Sequence, residues 1–249
     1  MRTMPFAAMI LAGGLGTRLR SVVGDRPKPL ALVDGTPFLE ILVESLARKG
    51  VRNFVFLTGF LSHMIEDHFN KRNLRNLDIR FSPEDRTLGT GGAVKHAEAF
   101  GTDPTLLVNG DTFFDANLED LLAFHLEKRA RVTLSLFRVR DASRYGSVTV
   151  DGKGVIQGFT EKREGSEGPG LINAGLSMLS LDFIRGLPPG RPFSMEQEIF
   201  PHLAGSGTMV GLRQEGAFFD IGTPESYHDF ISFIRIQGLL GPRDYSGAH

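Results

Sequence analysis

Three glycines and an arginine open the chemistry of this sequence. They stand in Leu11-Ala12-Gly13-Gly14-Leu15-Gly16-Thr17-Arg18-Leu19, directly after a short apolar run. Glycines let a backbone bend tightly and turn its N–H groups toward an anion. Arg18 adds a permanent cation whose guanidinium can fork onto phosphate oxygens. Ten residues on, Arg26-Pro27-Lys28-Pro29-Leu30 sets a lysine between two prolines. Each proline disfavours helix at the residue before it, so Lys28 is expected on a stiff extended segment. Taken singly, the first motif is equally a tight turn with a surface arginine, and the second a surface loop. A dinucleotide-binding fingerprint does not fit. Counted from Gly14, G-x-G-x-x-G requires glycine where Leu19 stands, and the expected second strand ends in Thr58-Gly59 instead of an acidic residue. No G-x-x-x-x-G-K-[ST] occurs anywhere.

These residues need elements to position them. Phe6–Leu11, Asn53–Thr58, Leu77–Phe81 and Thr105–Asn109 read as short buried strands. Between them, Phe38–Lys49, Leu61–Phe69 and Gly92–Phe100 read as helices, and Asn117–Lys128 follows as another, with Asn117 as its N-cap. Strands alternating with helices predict an α/β fold with a mainly parallel sheet flanked by helices. After Val132–Val139, the runs Tyr145–Val150 and Val155–Thr160 flank Asp151-Gly152-Lys153-Gly154, a hairpin signal, and Leu171–Leu179 follows as a strand. This stretch reads as a small β-rich lobe folded onto the sheet. A last helix runs from Pro224 to about Ile236. With no repeat or linker, residues 1–249 read as one domain: 1–130, 131–222 as an insertion facing substrate, and 223–249 as helix and tail.

Bulk properties exclude several classes. A net charge of -1 over 249 residues gives no electrostatic case for nucleic acid or an anionic membrane. Phosphate must be met by a few placed cations and backbone amides. The absence of cysteine excludes disulfides and thiolate metal sites and suits a reducing compartment. Met1–Leu11 is too short for a membrane span and is read as the buried first strand, so the cytoplasm is the expected location. The seven histidines, His63, His96 and His125 among them, show no ligand spacing and are expected on the surface or in the core. Twenty phenylalanines without tryptophan are core material, not a stacking platform for bases of nucleic acid.

L-A-G-G-x-G-T-R-L followed by P-K-P resembles the signature of the sugar-1-phosphate nucleotidyltransferases. The likeness continues in order through Leu88-Gly89-Thr90-Gly91-Gly92-Ala93, Asn109-Gly110-Asp111, Tyr145-Gly146, Glu161-Lys162, Asn173-Ala174-Gly175 and Asp220-Ile221-Gly222-Thr223-Pro224. T-R-L-R-S-V-V, G-T-P-F-L-E and E-x-x-x-L-G-T-G-G-A are similar to the guanylyltransferases that act on a heptose 1-phosphate, and short UTP-using relatives look alike. The resemblance implies a Rossmann-like sheet, Mg²⁺ as cofactor, a nucleoside triphosphate (GTP in that branch) and a sugar 1-phosphate as partners, and homo-oligomers among its members.

It also implies roles. Leu11, Ala12, Gly13, Gly14, Gly16, Thr17, Arg18, Gly89, Thr90 and Asp111 bind the nucleotide; Asn109, Tyr145, Gly146, Glu161, Lys162, Asn173 and Gly175 bind the sugar. Arg18, Lys28, Asp111 and Lys162 carry catalysis, with cations on both sides of the transfer. Asp111 and Asp220 are hard oxygen ligands suited to Mg²⁺. Each has a structural alternative: Asp111 as an acceptor of backbone hydrogen bonds at a strand end, Asp220 as the cap of the final helix, Lys162 as a solvated lysine, Gly146 and Gly175 as turn glycines. Glu84 is assigned on chemistry instead, since a carboxylate can accept from both N1–H and the amino group of guanine and uracil offers no such pair; its alternative is an exposed loop glutamate. A regulatory nucleotide-sugar-binding protein is expected to lose Arg18, Lys28 or the acids, and all are present.

Overall fold

The computed structural model describes residues 3–14, 19, 24, 26–59, 61–72, 74, 76–160 and 168–238. Gly16, Thr17, Arg18, Glu161 and Lys162 lie outside the described residues. Strand β1 spans Ala7–Leu11, followed by the two-residue strands β2 (Leu32–Val33) and β3 (Thr36–Pro37), and helix α1 covers Phe38–Arg48. Then come β4 (Asn53–Thr58), α2 (Ser62–Lys71), β5 (Asp78–Pro83), α3 (Gly89–His96), β6 (Thr105–Asn109), β7 (Thr112–Phe114) and α4 (Leu118–Lys128). The second half holds β8 (Val132–Val139), β9 (Ser147–Val150), β10 (Ile156–Thr160), β11 (Gly170–Leu179) and α5 (Leu181–Arg185). A π-helical turn at Met195–Ile199 leads into α6 (Phe200–Leu203), β12 (Met209–Arg213), β13 (Phe218–Asp220) and α7 (Pro224–Gln237).

Both faces of the central strands are covered, which explains why they read as continuous apolar runs. Along β1, Ala8 and Ile10 join one core layer and Met9 the other; along β4, Phe54 and Phe56 join the first and Val55 and Leu57 the second. Pairing runs β10-β9-β11-β6-β1-β4-β5 in one nine-stranded sheet, with β8 beside β11 and β12 beside β8. Strands β6, β1, β4 and β5 are mutually parallel. β11 joins β6 antiparallel, so residues 132–213 extend the sheet itself instead of lying on it as a lobe. No described helix is long and apolar enough to cross a membrane.

Two local expectations need correction, and one alternative reading is closed. Lys28 is not extended: Lys28–Leu30 forms a 3-10 turn closed by Ala31 N to Lys28 O at 3.0 Å, because a proline in the first turn has no amide to lose. Helix α3 starts at Gly89, three residues before the expected Gly92, and ends at His96, with a separate 3-10 turn at Glu98–Phe100. Its early start is fixed from outside, since Gly91 N donates to Phe193 O at 3.0 Å and a side chain at Gly91 would strike the Phe193 ring. The final helix is capped by Thr223 in a capping box with Ser226, which leaves Asp220 out of that role.

Candidate active site

Parallel pairing brings the carboxyl ends of β6, β1, β4 and β5 to one rim, where open α/β sheets carry their ligands. Beyond β1 lie Gly13 and Gly14; beyond β6, Gly110 and Asp111; beyond β5, Glu84. They border one cavity of about 580 Å³, whose walls also include Leu11, Lys28, Gly89, Thr90 and Asn109. Leu57 and Ala93 supply apolar wall to the same space. A second cavity of about 290 Å³ is bordered by Tyr145, Gly146, Asn173 and Asp220. Asn109, Asp111 and Glu196 belong to both walls, so the two spaces meet at Asp111.

Asp111 reaches this junction because Gly110 has no side chain. Gly110 N donates to Leu11 O at 3.0 Å, and a Cβ on Gly110 would stand 2.3 Å from that oxygen. Asp220 arrives by a different route. β13 pairs antiparallel with β7, setting Asp220 opposite Thr112, and Ile221 N donates to Asp111 O at 3.0 Å. The buried Lys28 ammonium lies between the two acids, 2.6 Å from Asp111 Oδ2 and 3.9 Å from Asp220 Oδ1. Burial, then the neighbouring Asp111 charge, push the Asp220 carboxyl above its ordinary pKa, opposed by Lys28 and by the Gly222 amide.

Glu84 is half-buried, and burial raises its pKa although Leu88 N donates to Oε2 at 2.8 Å. It is therefore not an exposed loop glutamate. Among the described residues its Oε1 accepts no hydrogen bond, while the carboxylate borders the larger cavity.

One ammonium bonded to Asp111 and within 4 Å of Asp220 shows that the two carboxylates face a common point. Among the described residues no group of three or more His, Cys, Asp or Glu side chains forms a metal cage. That donor set fits Mg²⁺, which binds through one or two carboxylates and otherwise through water and phosphate.

Of the residues expected at the site, the structure brings together Leu11, Gly13, Gly14, Lys28, Glu84 and Asp111, with Gly89, Thr90 and Asn109 beside them. Tyr145, Gly146, Asn173 and Asp220 gather on the other side. Ala12 packs into the core and borders neither cavity. Gly175 also borders neither: its φ is 79°, and a side chain there would stand 3.1 Å from Thr112 and 3.3 Å from Asn109. His125 is buried against Thr133, 2.8 Å away, and His68 pairs with Glu40 at 2.8 Å, and neither borders these cavities.

Sequence reasoning missed Glu196 and Arg144. Glu196 Oε2 accepts from Thr90 Oγ1 at 2.6 Å and from Ser194 Oγ at 2.9 Å, tying the π-helical turn to the start of α3. No spacing in the sequence marks it. Arg144 borders the smaller cavity, and its place directly before Tyr145-Gly146 was a usable signal.

The rim thus carries glycines, two acids about a lysine, and paired cavities, and the comparisons give the class of protein that bears them. The profile described as "Nucleotidyl transferase" matches residues 7–237, and the chain belongs to this family. It is 35% identical over 227 residues to a D-glycero-alpha-D-manno-heptose 1-phosphate guanylyltransferase of Campylobacter jejuni, covering 90% of this chain and 98% of that protein. A mannose-1-phosphate guanylyltransferase of Mycobacterium tuberculosis is 35% identical over 91% of this chain, which spans 64% of that protein. Among solved structures, HddC from Yersinia pseudotuberculosis superposes with a TM-score of 0.82 at 34% identity, covering 92% of this chain and 99% of HddC. A structure of HddC complexed with GMP-PN gives 0.81.

Proposed function

We propose that this protein transfers GMP from GTP to a heptose 1-phosphate, releasing pyrophosphate and forming a GDP-sugar. The observation that carries the reading is the pair of cavities meeting at Asp111, one suited to a nucleotide and one to a sugar. The guanylyltransferases among its relatives and the GMP-PN complex of HddC support the choice of nucleotide and sugar.

In this reading guanine lies between the apolar walls of Leu11, Leu57 and Ala93, with Glu84 accepting from its N1–H and amino group. The amides of Gly13, Gly14, Gly16 and Thr17, with Arg18, hold the triphosphate, and Gly89 and Thr90 close over the nucleoside. Asn109, Tyr145, Gly146, Asn173 and Glu196 read sugar hydroxyls together with Glu161, and Lys162 meets the sugar phosphate. Asp111 and Asp220 would hold Mg²⁺, which when bound would neutralise phosphate charge. Lys28, already against Asp111, turns its charge to the reacting phosphate. An ionised oxygen of the sugar phosphate forms a bond to the α-phosphorus as the bond to the β-phosphate oxygen breaks. That nucleophile carries no proton, so no general base is required; the protein's work is alignment and charge cancellation. Residues 1–130, Asn109 apart, thus serve the nucleotide and 131–222 the sugar within one domain, at work in the cytoplasm.

The mannose 1-phosphate reading is the second choice, favoured by the Mycobacterium relative. A matrix of GTP, ATP, UTP and CTP against heptose, mannose, glucose and N-acetylmuramate 1-phosphates, read by pyrophosphate release, tests the proposal. GTP with heptose 1-phosphate is expected to give the highest kcat/KM. Preference for mannose 1-phosphate would redirect the sugar, preference for UTP would overturn the role of Glu84, and no magnesium-dependent release with any pair would leave a regulatory binding protein.

A further inference from the structure

Among the described residues, the smaller cavity offers an anion a cation at one point. Its described walls carry three carboxylates, Asp111, Asp220 and Glu196, and a single cation, Arg144. A sugar 1-phosphate brings a further two negative charges or nearly so. Lys28 lies across the junction but is engaged by Asp111 at 2.6 Å.

The backbone turn that carries Arg144 is fixed, and its exposed guanidinium, which acts electrostatically on Asp220, is lightly hydrogen-bonded. Its turn is fixed by Asp141, whose Oδ1 accepts from Ser143 N at 3.0 Å and Oδ2 from Ser143 Oγ at 2.9 Å. Tyr145 N donates to Ala142 O at 3.0 Å, and Ala142 N to Gly168 O at 2.9 Å. The side chain leans past the Tyr145 ring, 5.8 Å from its centroid, toward the loop that follows Asp220. There Nη2 donates to Thr223 Oγ1 at 3.3 Å. Among the described residues this is its one hydrogen bond, and it forms no ion pair. A guanidinium has five donors in a fork that matches phosphate geometry.

We propose that Arg144 receives the phosphate of the incoming sugar 1-phosphate, holding that anion in the cavity against the repulsion of the three carboxylates. The inference rests on the function proposed above and adds a residue that the motifs do not single out. It makes Arg144 a reader of the phosphate and not of the sugar ring.

The test is steady-state kinetics of Arg144→Gln and Arg144→Lys with heptose and mannose 1-phosphates, with calorimetry beside it. Losing a charge-assisted contact of this kind is expected to raise KM for the sugar phosphate roughly 10- to 100-fold. The factor should be the same for both sugars, KM for GTP should stay within about twofold, and lysine should recover part of the loss. An unchanged KM, a rise confined to one sugar, or equal damage to GTP binding and melting temperature without rescue by lysine would each overturn the assignment. If the wild-type protein turned over no pair at all, the function proposed above would fail. Titrating mannose 1-phosphate into the complex with a non-hydrolysable GTP analogue still decides Arg144: tighter binding by wild type than by Arg144→Gln supports it, and equal affinity or no binding overturns it.

Discussion

Gly110→Ala places the site's geometry under direct strain. The new methyl group would stand 2.3 Å from the backbone oxygen of Leu11, where ordinary contact begins near 3.4 Å. One of the two must retreat by about 1 Å. Leu11 is held in the centre of the sheet by β4 on one side and β6 on the other, and its oxygen already accepts from Gly110 N. The retreat therefore falls on Gly110 and carries Asp111 away from Lys28 and Asp220. Overpacking of this kind costs about 1–3 kcal/mol, which for a chain of this length lowers Tm by roughly 2–12 °C. A displacement near 1 Å at a reacting centre costs roughly 100-fold in rate. Gly152→Ala, in the β9–β10 turn with nothing within 4 Å of the added atom, is the control and should change stability by less than about 0.5 kcal/mol. Differential scanning fluorimetry and a continuous pyrophosphate assay read both effects. A Gly110→Ala protein with wild-type kcat/KM would refute the argument that this glycine sets the position of Asp111.

Asp111→Asn should keep the far-UV dichroism of the wild type and lose roughly 100- to 1,000-fold in kcat; near-normal turnover would remove Asp111 from the metal site. Asp220 has a raised pKa, so its contribution to stability is fully present below the unfolded-state value and is lost as pH rises through the folded one. Asp220→Asn, still able to accept from Gly222 N, should therefore melt at or above wild type at pH 7 in EDTA, with the gap closing as pH falls; a lower Tm at pH 7 would contradict this. Glu84→Gln should lose roughly 10- to 100-fold in kcat/KM for GTP and little for ATP, measured by competition between the two nucleotides. Because burial raises the Glu84 pKa, wild-type KM for GTP should rise as pH drops through that value, a trend the Gln variant lacks.

The sheet was legible because burial on both faces leaves apolar runs of strand length. Asn53–Thr58 and Thr105–Asn109 were expected and found with the same bounds. Local chemistry was equally readable: Asn117 accepts from Glu119 N and Asp120 N, and Asp151 closes the hairpin by accepting from Lys153 N and Val155 N. What escaped was decided by distant partners. β7 and β13 have three residues each and exist through one another, and the start of α3 is set by Phe193, about a hundred residues on. The prolines around Lys28 were read for the preference of the preceding residue, while their tolerance in a first turn governed. At the site, residues carried by glycine-marked loops stood out. Glu196 did not, since the partner that ties it to the nucleotide side, Thr90, lies 106 positions away.

The central claim is that Asp111 and Asp220 hold one divalent ion where the two cavities meet. Crystals grown with Mn²⁺ and a non-hydrolysable GTP analogue, with diffraction recorded at the manganese edge, test it most directly. The account predicts an anomalous peak within about 2.4 Å of both carboxylates and in contact with the nucleotide phosphates. A peak bound elsewhere, with Lys28 still between the two acids, would contradict it.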